Sequence, residues 1–209
     1  MIIFQQWERL NDKLVHFLLH MLQADTYEEN KMQRIRYSLM VLCSEFEKLL
    51  VLGIVFGLLH LLPEFLTAFL AIVPIRAFMG GSHRTTMLGC FLQSLVVFGI
   101  ILALSSHFYM GKELQIIIVA LLITEIWIST PMISKNRIQY NREQRMRFKS
   151  KALTTLLALV MLKSSIPSSY SNIVVWALAV QAMENGILCV QNKRKEENLH
   201  EERIKKEIK

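Results

Sequence analysis

The stretch RAFMGGSHRTTMLGC, residues 76–90, contains the residue types that cysteine–histidine chemistry requires. A thiolate is a strong nucleophile, and a neighbouring imidazole can accept its proton and return it. The candidate pair is His83 and Cys90. Along a straight helix their Cα atoms would be about 10.5 Å apart, which is too far for contact. The two side chains can therefore react together only if the backbone between them leaves a regular helix.

Glycines next to the pair permit such a departure. Gly80 and Gly81 precede His83, and each costs roughly 1 kcal/mol relative to alanine inside a helix. We expect them to end one apolar segment, with Ser82 capping the next helix and the backbone N–H groups of 80–82 available to an oxyanion. The residue that would orient His83 stays open among four candidates: Ser82, Thr86, Gln93 and Ser94. Spacing alone favours a packing cysteine and a solvated histidine over a catalytic pair.

Long apolar segments must position this stretch. Hydrophobic residues make up 53% of the 209-residue chain. The apolar runs approach the ~20 residues needed to cross a bilayer, and they lack the charged faces of a soluble bundle. We therefore predict an all-α, polytopic integral membrane protein with about six transmembrane helices and an N-terminal amphipathic interfacial helix. The predicted crossings lie near 40–62, 64–79, 87–105, 114–132, 150–163 and 172–190.

Two of these segments, 64–79 and 150–163, are short, so a four-crossing arrangement is the weaker alternative. Basic residues cluster in 135–151 and 193–209, and such clusters mark the cytoplasmic side. Both ends of the chain and the 76–86 connection are then expected at the cytoplasmic face. The predicted organisation is a single helical membrane domain over 1–192, with 1–30 as its interfacial segment, followed by a charged cytoplasmic tail over 193–209.

The first 30 residues carry apolar side chains at helical spacing: Phe4, Trp7, Leu10, Leu14, Phe17, Leu18, Met21 and Leu22. Charged residues lie on the other faces, which predicts an amphipathic helix on the membrane surface. A helix packed on a partner subunit fits equally well. Glu8, Arg9 and Asp12 precede any sustained apolar region, so no cleavable signal peptide is expected.

The cysteine count and the net charge also limit which metals, cofactors and partners the protein is expected to bind. An odd number of cysteines without CxxC spacing argues against a disulfide framework and a zinc site, and we predict no metal and no cofactor. The three are Cys43, Cys90 and Cys189. Topology and attraction to membrane lipids account for the net charge of +7, so no nucleic-acid partner is expected.

The motif in 76–90 resembles that of the accessory gene regulator B family, the AgrB-type membrane peptidases. The family pattern is an arginine, three residues, a glycine pair, one residue, a histidine, and six residues to a cysteine. All fixed positions match, at Arg76, Gly80, Gly81, His83 and Cys90. The segment TPMISKNRIQYNREQRMRFKSKA (130–152) also looks like the family's basic cytoplasmic loop.

This resemblance implies a cysteine endopeptidase of the bacterial cell membrane that processes quorum-sensing pro-peptides at its cytoplasmic face. Cys90 would attack a peptide bond with His83 as general base, release the C-terminal tail and hold the remainder as a thioester. A substrate cysteine would then attack the thioester and close a thiolactone. Arg76, Gly80, Gly81 and Ser82 would support this site.

The resemblance further implies a homodimer and a short pro-peptide substrate with an amphipathic leader and an acidic tail. Six basic residues are candidates for receiving that tail, although topology and anionic lipids explain them equally well. They are Arg84, Lys135, Arg137, Arg142, Arg145 and Arg147. Arg76 at the membrane edge is expected either to meet a carboxylate or to extend its side chain to the interface, and the candidate carboxylates are Glu45, Glu47 and Glu125.

Two alternatives from other classes stay open. The first is a non-enzymatic membrane transporter component in which 76–90 is a gating turn. Its pathway would be formed by charged residues within the apolar runs: Glu45, Glu47, Lys48, Glu125 and Glu184. The second is a signalling adaptor whose basic loops bind only lipid or a partner.

Overall fold

The computed structural model of the chain describes residues 13–21, 29–80, 87–129 and 141–207. Every regular element in those ranges is an α-helix, which confirms the predicted all-α class. The helices are α1 (residues 13–21), α2 (Glu29–Leu58), α3 (Leu62–Met79), α4 (Met87–His107), α5 (Lys112–Ser129), α6 (Arg142–Lys163) and α7 (Ser168–Glu207). Each of the helices α2 to α7 overlaps one of the six predicted apolar segments, and α2, α6 and α7 begin or end well outside theirs.

Three of these helices are long and apolar enough to cross a membrane. They contain the segments Leu62–Met79, Leu88–His107 and Ser168–Gln191. Spanning by α2, α5 and α6 stays a prediction. Helix α7 continues through the charged segment after 192, so the predicted tail prolongs this helix as far as Glu207.

The described residues divide into two compact units. One unit draws on 1–62 and 84–96, and the other on 63–83 and 97–209. Helix α4 contributes its first half to one unit and its second half to the other. This division concerns local packing, and the prediction of a single membrane domain stays a prediction.

In the first unit, α1 packs on α2. Val15 and Leu19 of α1 are buried together with Cys43 of α2, and Leu18, Ile35 and Leu39 complete the cluster. The predicted apolar face differs from the face that packs, because Leu14, Phe17 and Met21 remain exposed. Helix α1 is therefore apolar on two adjoining faces. One face meets its own chain, and the other is available to lipid or to a second copy.

Apolar side chains at every fourth position cover one outward face of α2: Leu42, Phe46, Leu50, Ile54 and Leu58. Each is more than half exposed. Helix α4 repeats the pattern with Leu88, Leu92, Val96 and Ile100. Soluble proteins rarely expose continuous apolar stripes of this kind, and such stripes are typical of surfaces that face lipid.

Helix α2 ends in a Schellman turn with a histidine where glycine is usual. The N–H of Leu61 donates to the carbonyl oxygen of Phe56 at 2.8 Å, and that of His60 donates to Gly57 at 3.0 Å. His60 adopts φ 57°, in the left-handed region that disfavours residues with a Cβ. This turn sets the direction in which the chain leaves α2.

In the second unit, α3 packs on the second half of α4 through aromatic rings. Phe65 is fully buried, and its ring meets that of Phe98 edge-on at 5.1 Å between centroids. Phe69 also lies against Phe98, at 6.2 Å. Helix α3 buries one stripe along its length, from Phe65 to Met79, and this stripe fixes where its C-terminal end lies within the unit.

Helices α5, α6 and α7 pack against one another in the second unit. A single buried amide fixes the α4–α5 connection on α7. Asn172 donates to the carbonyl oxygens of Ser105 and Phe108 and accepts from the N–H of Met110. Phe108 and Tyr109 are exposed and only Met110 of this connection is buried, so Asn172 satisfies the backbone polar groups where the turn packs against α7.

Candidate active site

The helix that leads into the motif ends at its first glycine. Helix α3 stops at Met79, and Gly80 is buried with φ 92°, a conformation that glycine adopts without the penalty of a side chain. The N–H of Gly80 donates to the carbonyl oxygen of Arg76 at 2.9 Å. The predicted end of the second apolar segment is confirmed. Gly81, Ser82, His83 and Arg84 lie outside the described residues.

Cys90 lies in the first turn of α4, which begins at Met87. Its thiol is half-buried. The Nζ atom of Lys48 donates to Cys90 Sγ at 3.3 Å, and Ser94 Oγ donates to the carbonyl oxygen of Cys90 at 3.0 Å. A helix N-terminus favours negative charge, as does an adjacent ammonium group. Cys90 therefore lies in a positive environment within the first unit.

Lys48 also forms an ion pair with Glu45, one helical turn earlier on α2. The distance between Lys48 Nζ and Glu45 Oε1 is 2.5 Å. The lysine side chain is 7% exposed and the glutamate side chain 40% exposed. The ammonium group is therefore held between a partly exposed carboxylate and a thiol.

Arg76 is tied to α7 in the second unit. Its Nη2 atom lies 2.9 Å from Glu184 Oε1, with side-chain exposures of 23% and 14%. The sequence analysis expected an intramembrane carboxylate but proposed Glu45, Glu47 or Glu125, so its choice of residue missed this partner. Because Arg76 is in the last turn of α3, the pair fixes the end of the helix just before Gly80.

Further polar side chains lie buried around this ion pair. Gln181 donates to Asn185 at 3.0 Å, and Asn185 donates to the sulfur of Met79 at 3.7 Å. Asn185 is also hydrogen bonded to Glu125 of α5. The last turn of α3 therefore meets α7 through a polar contact region, and this region supports the backbone before the glycine break.

The family model described as Accessory gene regulator B matches residues 11–184. The chain belongs to this family. An AgrB-like protein of Clostridium perfringens is 26% identical over 160 residues, covering 75% of this chain and 84% of the relative. Accessory gene regulator protein B of Staphylococcus aureus is 20% identical over 174 residues, covering 83% of this chain and 92% of the relative. No solved structure matches the chain.

Membership confirms the resemblance seen in 76–90. AgrB proteins are involved in accessory gene regulation and quorum sensing, and they are membrane proteins. Three helices of this chain can span a membrane, in agreement with that location. The AgrB match begins at residue 11 and includes α2 as well as the motif, so Lys48 and Glu45 lie within the family region.

The basic residues predicted to receive a substrate tail fall into two groups. Lys135 and Arg137 lie outside the described residues, as does Arg84. Arg142, Arg145 and Arg147 lie in the first two turns of α6 and are exposed. A capping box in which Asn141 and Gln144 exchange hydrogen bonds starts this helix.

Arg147 forms an exposed ion pair with Glu143 at 2.6 Å. The arginines occupy the end of α6 where the helix dipole favours anions over cations. The dipole therefore disfavours these arginines, and the Glu143–Arg147 pair offsets this only for Arg147. Binding of an acidic tail or of anionic lipid by these residues stays a prediction.

No group of three or more His, Cys, Asp or Glu residues in the described ranges could hold a metal ion. Lys48 is the functional candidate that the sequence analysis did not assign to the catalytic site. Its only signal was an ammonium group inside the apolar run 40–62, with Glu45 three residues before it. Nothing in that pattern pointed to Cys90.

Proposed function

We propose that this AgrB-family protein is a membrane-embedded cysteine endopeptidase that processes a quorum-sensing pro-peptide. Cys90 Sγ attacks the carbonyl carbon of the bond before the C-terminal tail, and His83 takes the thiol proton. The C–N bond breaks, the imidazolium protonates the leaving nitrogen, and a peptidyl thioester remains on Cys90. A cysteine of the substrate then attacks this thioester, so that a cyclic thiolactone forms and Cys90 is released.

The observation that carries this proposal is the end of α3 at Gly80 together with the position of Cys90 in the first turn of α4. A continuous helix through 80–90 would hold His83 and Cys90 about 10.5 Å apart. The end of α3 at Gly80 separates His83 from that helix. The proposed mechanism requires in addition that the backbone between His83 and Cys90 is not a regular helix. The Arg76–Glu184 pair supports the end of α3 from the preceding turn.

The second step requires that water be kept from the thioester. Cys90 lies at the start of a helix long and apolar enough to span a membrane, and the stripe of Leu88, Leu92 and Val96 continues outward from it. We place this end of α4 at the cytoplasmic face, with six crossings and both chain ends in the cytoplasm. The thioester would then form at the boundary of the hydrocarbon layer.

The substrate is a short pro-peptide with an amphipathic leader and an acidic tail. The exposed arginines at the start of α6 are suited to the tail because they present positive charge from one rigid element. Membrane lipids and a second copy of the chain are the further partners. The exposed face of α1, with Leu14, Phe17 and Met21, supports association with either.

A co-expression experiment tests the peptidase. A pro-peptide is expressed with the wild type, with Cys90→Ala and with His83→Ala, and release of the tail is measured by mass spectrometry. We expect release by the wild type and none by either variant. Equal release in all three would disprove the proposal.

In wild-type membranes Cys90 should also alkylate faster than Cys43 and Cys189 near neutral pH.

A second experiment tests the tail receiver. Arg145→Gln should raise the KM for the pro-peptide and leave kcat unchanged, because the arginine contacts the tail away from the reacting bond. Lys112→Gln is the matched control, since Lys112 is also exposed at the start of a helix but is predicted on the opposite face. An equal effect of both substitutions would contradict a role for α6.

The transporter alternative needs ionisable side chains available along a pathway. The structure pairs Lys48 with Glu45 and Cys90, and Glu184 with Arg76. Glu125 is bonded to Asn185. A transport pathway needs charged side chains that can bind and release a passing ion or substrate. Because these charges are held by partners within the protein, we propose the peptidase and not the transporter.

A further inference from the structure

Lys48 is a buried cation in an apolar helix. The residue is 6% exposed, and its ammonium group has three protons to donate. Taking a charge out of water costs several kcal/mol unless partners compensate it. The partners that the structure shows are Glu45 Oε1 and Cys90 Sγ. The second partner is unusual, because a neutral thiol is a weak acceptor and compensates little.

A thiolate compensates a buried ammonium far better than a thiol does. The donor–sulfur distance of 3.3 Å is short enough for an ammonium–thiolate contact. Glu45 is one turn away on the same helix, and its side chain is 40% exposed, so it holds the ammonium group in place from the edge of the packed region. Glu45 therefore positions the lysine, and the lysine charge stabilises the thiolate form of Cys90.

We propose that Lys48 is a further catalytic residue, the positive partner of the Cys90 thiolate, and that Glu45 is its positioning residue. This inference rests on the proposed peptidase function. It adds to that function a fixed positive charge at the reacting sulfur, contributed by α2.

The charge acts in both steps of the reaction. When the thiolate attacks, the Sγ–C bond forms, the C–N bond breaks, and the leaving nitrogen takes the proton of the His83 imidazolium. The imidazole is then neutral, while Lys48 keeps its proton and its charge. In the second step the substrate thiol gives its proton to His83, its sulfur bonds to the acyl carbon, and Cys90 leaves as a thiolate beside Lys48. All protons are accounted for, and no co-reactant is needed.

The test compares Lys48→Met with Lys48→Arg in the full chain in membranes. Alkylation by iodoacetamide at neutral pH is followed separately at each cysteine by mass spectrometry, alongside single-turnover tail release. With Lys48→Met we expect the Cys90 rate to fall about tenfold or more, since an opposite charge at this distance has an effect of that size. The rates at Cys43 and Cys189 should not change. Lys48→Arg should restore most of the loss.

Lys163→Met is the matched control. Lys163 is a partly buried lysine whose ammonium group donates to Gln115 and not to a thiol. Removing its charge should leave Cys90 alkylation unchanged. An unchanged Cys90 rate in Lys48→Met would overturn the inference. An equal loss in Lys48→Met and Lys48→Arg would also overturn it, because a charge effect survives that exchange.

A measurement on the wild type needs no variant to fold. Iodoacetate is anionic and iodoacetamide is neutral, so a cation at the sulfur raises the ratio of their rates. We expect a higher ratio at Cys90 than at Cys189, which is similarly half-buried. Equal ratios would overturn the role of Lys48. Failure of the peptidase itself would appear separately, as tail release that does not depend on Cys90 or His83.

Discussion

Two ion pairs among the described residues, Arg76–Glu184 and Lys48–Glu45, are built differently. Arg76 and Glu184 are 108 residues apart, lie on α3 and α7, and are both largely buried. Lys48 and Glu45 are three residues apart on α2, and only the lysine is buried. The first pair joins two helices, whereas the second joins none.

This difference separates a structural role from a chemical one. In the Arg76–Glu184 pair each charge compensates the burial of the other, and breaking the pair would remove that compensation between two helices. The Lys48–Glu45 pair contributes little to packing, since both residues lie on α2 and the carboxylate is partly exposed. Its lysine instead contacts the thiol of a third residue, Cys90.

The largest expected effect comes from breaking the structural pair. Glu184→Gln should lower the free energy of unfolding by about 2 to 3 kcal/mol, because it removes the ion pair that compensates the largely buried guanidinium of Arg76. Thermal unfolding in detergent measures this change. The control is the double variant with Arg76→Met, which should regain most of the loss, as is usual when both charges are removed. Additive losses would show that the two residues act independently.

The next largest effect on stability is expected at Gly80, which follows the helix turn held by the Arg76–Glu184 pair. Gly80→Ala should destabilise the protein by about 1 to 2 kcal/mol, because alanine at φ 92° is strained, and it should also slow tail release. Gly99→Ala in the middle of α4 is the control. An added Cβ there meets no atom within 4 Å, so this substitution should be neutral or stabilising. Tolerance of Gly80→Ala would mean that the break does not need its left-handed glycine.

A smaller effect is expected in the first unit, at the end of α2. His60→Gly should stabilise the protein by about 1 kcal/mol, because glycine relieves the strain at φ 57° in the Schellman turn. His107→Gly is the comparison, since it removes an exposed histidine from the last turn of α4, where glycine is unfavourable. Thermal unfolding in detergent measures both, and destabilisation by His60→Gly would indicate that the imidazole has a structural role.

The smallest effect on stability is expected at the second ion pair. Lys48→Met should change the free energy of unfolding by less than about 1 kcal/mol, because methionine fills similar space without a charge to compensate. The same variant should lose Cys90 reactivity, so stability and chemistry separate at this position. A loss of stability as large as that of Glu184→Gln would remove the distinction between the two pairs.

Much of the fold follows from local sequence. Apolar runs predict α2 to α7, and an expected helix end at Gly80 appears where two glycines follow the last turn of α3. The end of α2 was harder to predict. His60 takes the position and the backbone conformation that usually identify a glycine, so its residue type carried no signal.

The sequence also did not determine which apolar face of α1 packs against the rest of the chain. Periodicity indicated a helix with an apolar side, but Leu14 and Phe17 are exposed and Val15 and Leu19 pack on α2. A helix with two adjoining apolar faces can present either face to its own chain. Only the neighbouring surface of α2 selects between them.

The sequence by itself determined the helices, their break before His83, and the family motif that includes Cys90. These features depend on residues close together in the chain, whose spacing directly reflects helical geometry. Only the tertiary structure decided that Arg76 pairs with Glu184 and that Lys48 contacts Cys90, 42 residues away. A buried charge must find a partner, but its own sequence does not identify that partner. The packing of helices distant in the chain makes that choice, because it decides which side chains share a desolvated space.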